Sequence, residues 1–309
     1  MAQKTSKISK ILLSLFVILI ILVAGSVSLS FAGVKPFNQI FPIKSTQPQF
    51  AHPQNGQNPD IIAVYGDSRT GHTMHQKIVN DIMTYSPDIV LHVGDLVNDG
   101  SSAADWTIFD NITSAMRASA AFYPALGNHE KNSSLYFSHF ELPNNERWYS
   151  VDYNIIHFIA LDSAFSSLAV GSEQYQWLAA DLQNVDKSSK FIIVYFHHPI
   201  FTTSGNDNES LKASLTPLFE NNSVDVVFTG HMHIYERSLY NNIIYYVTGG
   251  GGAPLSDQTR TSPYSKKFVK DNNYIIIKIF GSDTLLISSY DDDNNLIDEV
   301  RLSLNHICT

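Results

Sequence analysis

The sequence predicts an α/β protein with a layered core, on three observations. Short apolar runs of strand length alternate with longer amphipathic stretches from Ile61 to Asn221. Strand-like runs joined by short turns then dominate from Ile243 to Leu304. The chain is 44% hydrophobic and 16% charged over 309 residues, a globular composition long enough for one large domain with a sizeable core.

The elements follow in order. Lys4, Lys7 and Lys10 precede an apolar run from Ile11 to Ala24, continued with small residues to Phe31. The run approaches the length of a membrane span. Ser30-Phe31-Ala32 before Gly33 also fits a small-x-small cleavage site. Residues 1–32 are therefore expected to be a signal-anchor or a signal peptide, and both stay open. The lysines favour a cytoplasmic N-terminus and an extracytoplasmic remainder. Residues 33–60, rich in Pro, Gln and Asn, read as an extended linker.

Ile61 to Tyr65 reads as a first strand, Asp88 to Val93 as a second and Phe122 to Leu126 as a third. Thr70 to Tyr85, with spaced Met74, Ile78, Val79 and Ile82, and Ala103 to Ala118 are the helices between them. Trp148 to Tyr153 and Ile155 to Leu161 form a hairpin about Asn154. Helices over Ser172 to Val185 and Glu209 to Asn221 flank a strand from Phe191 to Phe196, and a β-branched run from Val224 to Thr229 follows. The closing strands are Ile243 to Val247, Tyr274 to Phe280, Thr284 to Tyr290 and Leu296 to Leu304.

Net charge is −9, from 20 basic and 29 acidic residues. That balance disfavours non-specific nucleic-acid binding, which rests on Lys and Arg, so no nucleic-acid partner is expected. A phosphate ester could still bind if metal ions reverse the local potential. The single cysteine, Cys308, allows no intramolecular disulfide.

Five stretches carry metal-ligand chemistry at strand ends: Gly66-Asp67, Gly94-Asp95, Gly127-Asn128-His129-Glu130, His197-His198-Pro199 and Gly230-His231-Met232-His233. A hard or borderline cation takes carboxylate, imidazole and amide-oxygen ligands. Strand ends are also where α/β sheets place their sites. Histidines at i and i+2 suit two ions sharing a pocket better than one. Singly, each stretch has an ordinary reading: Asp after Gly forms turns, and Asn128 could be a left-handed turn residue. Gly249 to Gly252 either brings backbone close to the site or is a flexible turn.

In this order the five stretches resemble the calcineurin-like metallophosphoesterases. The longer wording resembles one branch, the purple acid phosphatases, in Gly230 through Arg237, Trp148 to Ser163, Gln174 to Leu178, and Ser289 to Arg301. The resemblance implies a four-layer α/β/β/α sandwich, two packed mixed sheets flanked by helices, as a catalytic domain over residues 61–305. It implies two divalent or trivalent metal ions, Fe, Mn or Zn. Asp67 and His233 would bind the first, Asn128, His197 and His231 the second, and Asp95 would bridge them. His129 would protonate the leaving group, with Glu130 orienting it, and His198 would touch substrate or support a ligand.

Two departures stand out. Where many members have a histidine two residues after the first aspartate, this chain has Arg69. Where purple acid phosphatases have a tyrosine three residues after the second, it has Asn98. Arginine cannot ligate a cation, so the first metal is expected to be weak and exchangeable, with Asn98 or His72 as substitute donors. Without a tyrosinate the protein is expected to be colourless. Arg69 is expected to clamp a phosphate oxygen with its planar fork.

The expected function is hydrolysis of a small phosphorylated substrate by two metals outside the cytoplasm, foremost as a phosphomonoesterase. The alternatives are a phosphodiesterase or nucleotidase of the same fold, and a non-catalytic, metal-stabilised surface protein, the reading that Arg69 and Asn98 favour. The membrane would be a partner through the N-terminal segment.

Overall fold

The computed structural model describes residues 60–304. The expected signal or anchor segment, the linker before Asp60 and the last five residues lie outside them. Among the described residues no helix is long and apolar enough to cross a membrane.

In chain order the elements are β1 (Ile61–Tyr65), α1 (His72–Met83), β2 (Ile89–His92), α2 (Ala103–Ser119), β3 (Ala121–Pro124), α3 (Ser134–His139), β4 (Tyr149–Tyr153), β5 (Ile156–Ala160) and α4 (Glu173–Asn184). There follow β6 (Phe191–Tyr195), α5 (Glu209–Asn221), β7 (Val226–Thr229), β8 (Tyr235–Tyr240), β9 (Ile243–Thr248), β10 (Ser265–Val269), β11 (Asn273–Phe280), β12 (Thr284–Asp291) and β13 (Leu296–Ser303). A six-stranded sheet has the order β13-β12-β11-β1-β2-β3, and a seven-stranded sheet the order β10-β8-β9-β7-β6-β5-β4. Both are mixed: β1, β2 and β3 are parallel, as are β5, β6, β7 and β9, while the outer pairings are antiparallel.

The layering follows from strand periodicity, since alternate side chains point to opposite faces. In β1, Ile62 and Val64 join Leu91, Phe158, Ile193 and Phe228 in the core between the sheets. Ala63 and Tyr65 turn outward onto Ile78, Val79 and Ile82 of α1 and Met116 of α2. On the far side, Ile192, Val194 and Val227 pack under Leu178 and Leu182 of α4 and Leu215 and Phe219 of α5. The central strands are therefore apolar on both faces, and each fully buried Ile or Val adds about 1.5–3 kcal/mol of burial. The result is the expected α/β/β/α sandwich.

Two strands depart from the sequence expectation. β8 carries Glu236 and Arg237, which break the apolar run. Glu236 is buried and takes the Thr203 N–H and the Thr202 and Thr203 hydroxyls. Arg237 bonds Asp298 through Nε at 2.6 Å, and Tyr235 donates to the same carboxylate, tying β8 to β13 across the sheets. β10 is a polar edge strand, paired among the described residues only to β8, with no buried face to leave a pattern.

Candidate metal centre

The loops that leave β1, β2, β3, β6 and β7 converge. Asp67 N donates to Gly94 O at 3.0 Å, and Gly230 N to His197 O at 2.9 Å. His231 N donates to Asp67 Oδ2 at 2.8 Å, joining the two sheets' loops. Asp67, Asp95 and His231 hold left-handed backbone, with φ of 55°, 57° and 68°. Three non-glycine residues in that region, at about 1–3 kcal/mol each, mark a site the surrounding structure enforces. Asn128 is not left-handed; it opens a 3₁₀ turn, Asn128–Glu130, after Gly127. Two glycines make room: a Cβ on Gly230 would lie 2.3 Å from Asp67 Oδ2, and one on Gly249 would lie 2.7 Å from it. The glycine run therefore packs against the site.

The structure brings the six expected ligands together in two groups that share Asp95. Asn128 Oδ1 is 3.1 Å from both His197 Nε2 and His231 Nδ1, and those nitrogens are 3.2 Å apart. Asp95 Oδ1 stands 3.4 Å from His197 Nε2. On the other side Asp67 Oδ1 is 3.5 Å from His233 Nε2. The remaining nitrogens of two rings are fixed: His197 Nδ1 faces Val93 O at 3.0 Å and His233 Nδ1 faces Pro254 O at 2.5 Å. A carbonyl accepts, so each Nδ1 carries hydrogen and each Nε2 is turned to the cavity.

These residues fit cations. Asp67 Oδ1 is fully buried and has no hydrogen-bond partner among the described residues. A buried carboxylate oxygen left so is costly unless a cation meets it. Asp67, Asp95 and His197 present ligand atoms within 4.8 Å of one another, as do His197, His198 and His231. Burial pushes the Asp67 carboxyl up despite His233 and His197. Burial pushes Asp95 the same way, but His197 and the His129 N–H pull it well below the usual carboxylate range. Burial also lowers the imidazoles, holding His198 at about 4 and His231 at about 3, with His197 adding to both effects. His197 itself is carried to about 9 against its burial by Asp95 and Asp67. Binding a cation would release that proton.

The other expected residues sit around this cluster. His129 Nδ1 is 2.6 Å from Asn98 O, so Nδ1 donates and Nε2 faces the cluster, 4.0 Å from Asp95 Oδ2. Glu130 does not orient His129, and that expectation is corrected. Its buried carboxylate takes the N–H groups of Gly127, Asp95 and Leu96 at 2.6, 3.0 and 2.8 Å, clamping two ligand loops together. Burial and Asp95 push its pKa up to about 7. His198 packs 4.5 Å from the His231 ring, and its Nδ1 is 3.1 Å from Ser163 Oγ. Arg69 Nε bonds Asp95 Oδ2 at 3.2 Å, and its Nη2 is 3.4 Å from His233 Nε2. Asn98 and His72 line a small cavity with Ser68, Arg69 and Asp105. Ser163 and the clamp made by Glu130 were not foreseen; a serine in a loop and an acid beside a histidine carry no spacing signal.

Residues 51–235, more than half of the chain, match the family model of the calcineurin-like phosphoesterases. Probable inactive purple acid phosphatase 27 of Arabidopsis thaliana is 27% identical over 67% of this chain and 42% of its own length. Purple acid phosphatase 22 of the same plant is 31% identical over 58% of this chain and 48% of its own. The chain thus spans about half the length of the curated relatives it matches. The purple acid phosphatase PPD1 from yellow lupin (Lupinus luteus) seeds superposes with a TM-score of 0.70 at 20% identity, covering 79% of this chain and 53% of that one, which speaks to fold alone. By the family model and the sandwich that carries its motifs, the chain belongs to the calcineurin-like phosphoesterases, with the purple acid phosphatase branch as its likeness.

Proposed function

We propose that the protein is a metal-dependent hydrolase of phosphate esters, acting foremost on monoesters. One observation carries this reading: Asn128 Oδ1, His197 Nε2 and His231 Nδ1 lie within 3.2 Å of one another beside two buried carboxylates. In this reading Asn128, His197 and His231 hold one ion, Asp67 and His233 another, and Asp95 is shared. Such ions, Fe, Mn or Zn, polarise a phosphoryl group and acidify water.

The rest falls to the chain. The Asn98 carbonyl holds the hydrogen of His129 Nδ1, so the proton that passes to the departing alkoxide is the one on Nε2 of the doubly protonated ring, which is left as the neutral Nδ1–H tautomer. The Ser163 hydroxyl meets His198 Nδ1, leaving Nε2–H to donate to a phosphoryl oxygen. The half-buried Arg69 guanidinium clamps a second oxygen. Export across a membrane, with or without a retained tether, belongs to the same proposal and rests on Lys4, Lys7 and Lys10 before the apolar run from Ile11 to Ala24.

A second reading, a metal-stabilised protein without turnover, is favoured by Arg69 lying against donors of the first site. The experiment that separates them offers a chromogenic phosphate monoester and diester with Mn, Fe or Zn, beside Asp95→Ala. Monoester hydrolysis abolished in Asp95→Ala is the expected result. Preference for the diester assigns a phosphodiesterase. No turnover of either substrate with any metal supports the second reading.

A further inference from the structure

Arg69 lies against two of the groups a first cation would use. Its Nε is 3.2 Å from Asp95 Oδ2, and its Nη2 is 3.4 Å from His233 Nε2. Asp95 divides its oxygens: Oδ1 takes the His129 N–H and stands by His197, while Oδ2 is given to the guanidinium. Only Asp67 Oδ1, the third donor on that side, has no hydrogen-bond partner among the described residues. The backbone before Arg69 is fixed, because the buried Ser68 hydroxyl donates to Leu96 O at 3.0 Å. The side chain is 19% exposed, so it is largely confined to this corner.

A guanidinium offers only N–H donors and cannot join a coordination shell. An ion bonded to His233 Nε2 would sit about 2.0–2.1 Å from that nitrogen. Arg69 Nη2 is hydrogen-bonded to the same nitrogen at 3.4 Å, and one lone pair cannot serve both, so an ion taking Nε2 must displace that contact. Among the described residues, no arginine or lysine is hydrogen-bonded to Asn128, His197 or His231 on the other side. The two sides therefore differ in what an arriving cation must displace.

We propose that Arg69 is an internal cation competing for the first metal site, so that its guanidinium and the first ion are alternative partners of Asp95 Oδ2 and His233 Nε2. This rests on the metal-centre reading above and goes beyond it. The side at Asn128, His197 and His231 holds its ion tightly. The side at Asp67 and His233 fills only when Arg69 is displaced, which frees the guanidinium to meet a phosphoryl oxygen. A residue that only clamped substrate would leave metal affinity untouched.

The test is calorimetric titration of the metal-stripped protein with Mn²⁺ and with Zn²⁺, paired with elemental analysis after dialysis. Wild type is expected to retain one equivalent and to bind a second at least about tenfold more weakly. Arg69→Gln and Arg69→Ala are expected to tighten the weak step about tenfold and to retain two equivalents. Two equally held ions in wild type overturn the proposal, even if neither variant folds. An unchanged weak step in folded variants overturns it as well, leaving the metal centre intact. A folded wild type that binds no metal removes the metal-centre reading itself and the proposal with it.

Discussion

Removing the His157 imidazole should cost stability that vanishes at alkaline pH. His157 lies in β5, with Nδ1 2.8 Å from Asp152 Oδ1 and Nε2 2.8 Å from Asp181 Oδ2 on α4. Lys190 also meets Asp152, at 2.5 Å. Burial pushes the imidazole down, but the two carboxylates carry its pKa from 6.5 to about 9. At about 1.4 kcal/mol per pH unit that difference is about 3 kcal/mol. Asp152 is 59% exposed, and solvent screening reduces the figure to about 2 kcal/mol. The folded-state pKa is raised, so this stabilisation is complete below 6.5 and fades as pH rises through about 9. His157→Gln should therefore lose about 2 kcal/mol at about pH 6 and almost nothing at about pH 10. Urea unfolding at both pH values measures it. An equal loss at the two would refute the ion-pair account and leave packing as the cause. The consequence reaches the site, because β5 runs directly into Asp162 and Ser163, and Ser163 bonds His198.

Two further outcomes concern the centre. Gly230→Ala places a Cβ 2.3 Å from Asp67 Oδ2; the carboxylate must move, and retained metal and turnover should fall together. Unchanged metal content would mean that Asp67 is not a ligand. His129→Ala should lower kcat by about 10²–10⁴-fold for esters with poor leaving groups and far less for a nitrophenolate, which departs without a proton. Equal loss on both substrates would deny His129 the role of acid.

Much of this was legible in the sequence for a physical reason. Strands buried on both faces leave unbroken apolar runs, so β1, β6 and β7 and the polar groups ending them stand out against their surroundings. A helix buried on one face leaves a periodic stripe, as α1 does with Ile78, Val79 and Ile82. β8 was not legible because its buried Glu236 is satisfied by Thr202 and Thr203, more than thirty residues away. The same holds for Glu130, two of whose donors, the Asp95 and Leu96 N–H groups, lie on a distant loop. Asn98 acts on His129 through its main-chain oxygen, which no side-chain identity announces. Arg69 showed in the sequence as a departure; only the fold set it between Asp95 and His233.

The most direct measurement is anomalous X-ray scattering at the Mn or Zn edge from crystals grown with that metal. The account predicts a strong peak bounded by Asn128 Oδ1, His197 Nε2 and His231 Nδ1, at about 2.0–2.2 Å from each, and a weaker one beside Asp67 Oδ1. A metal-loaded crystal with no peak among those three atoms would contradict it.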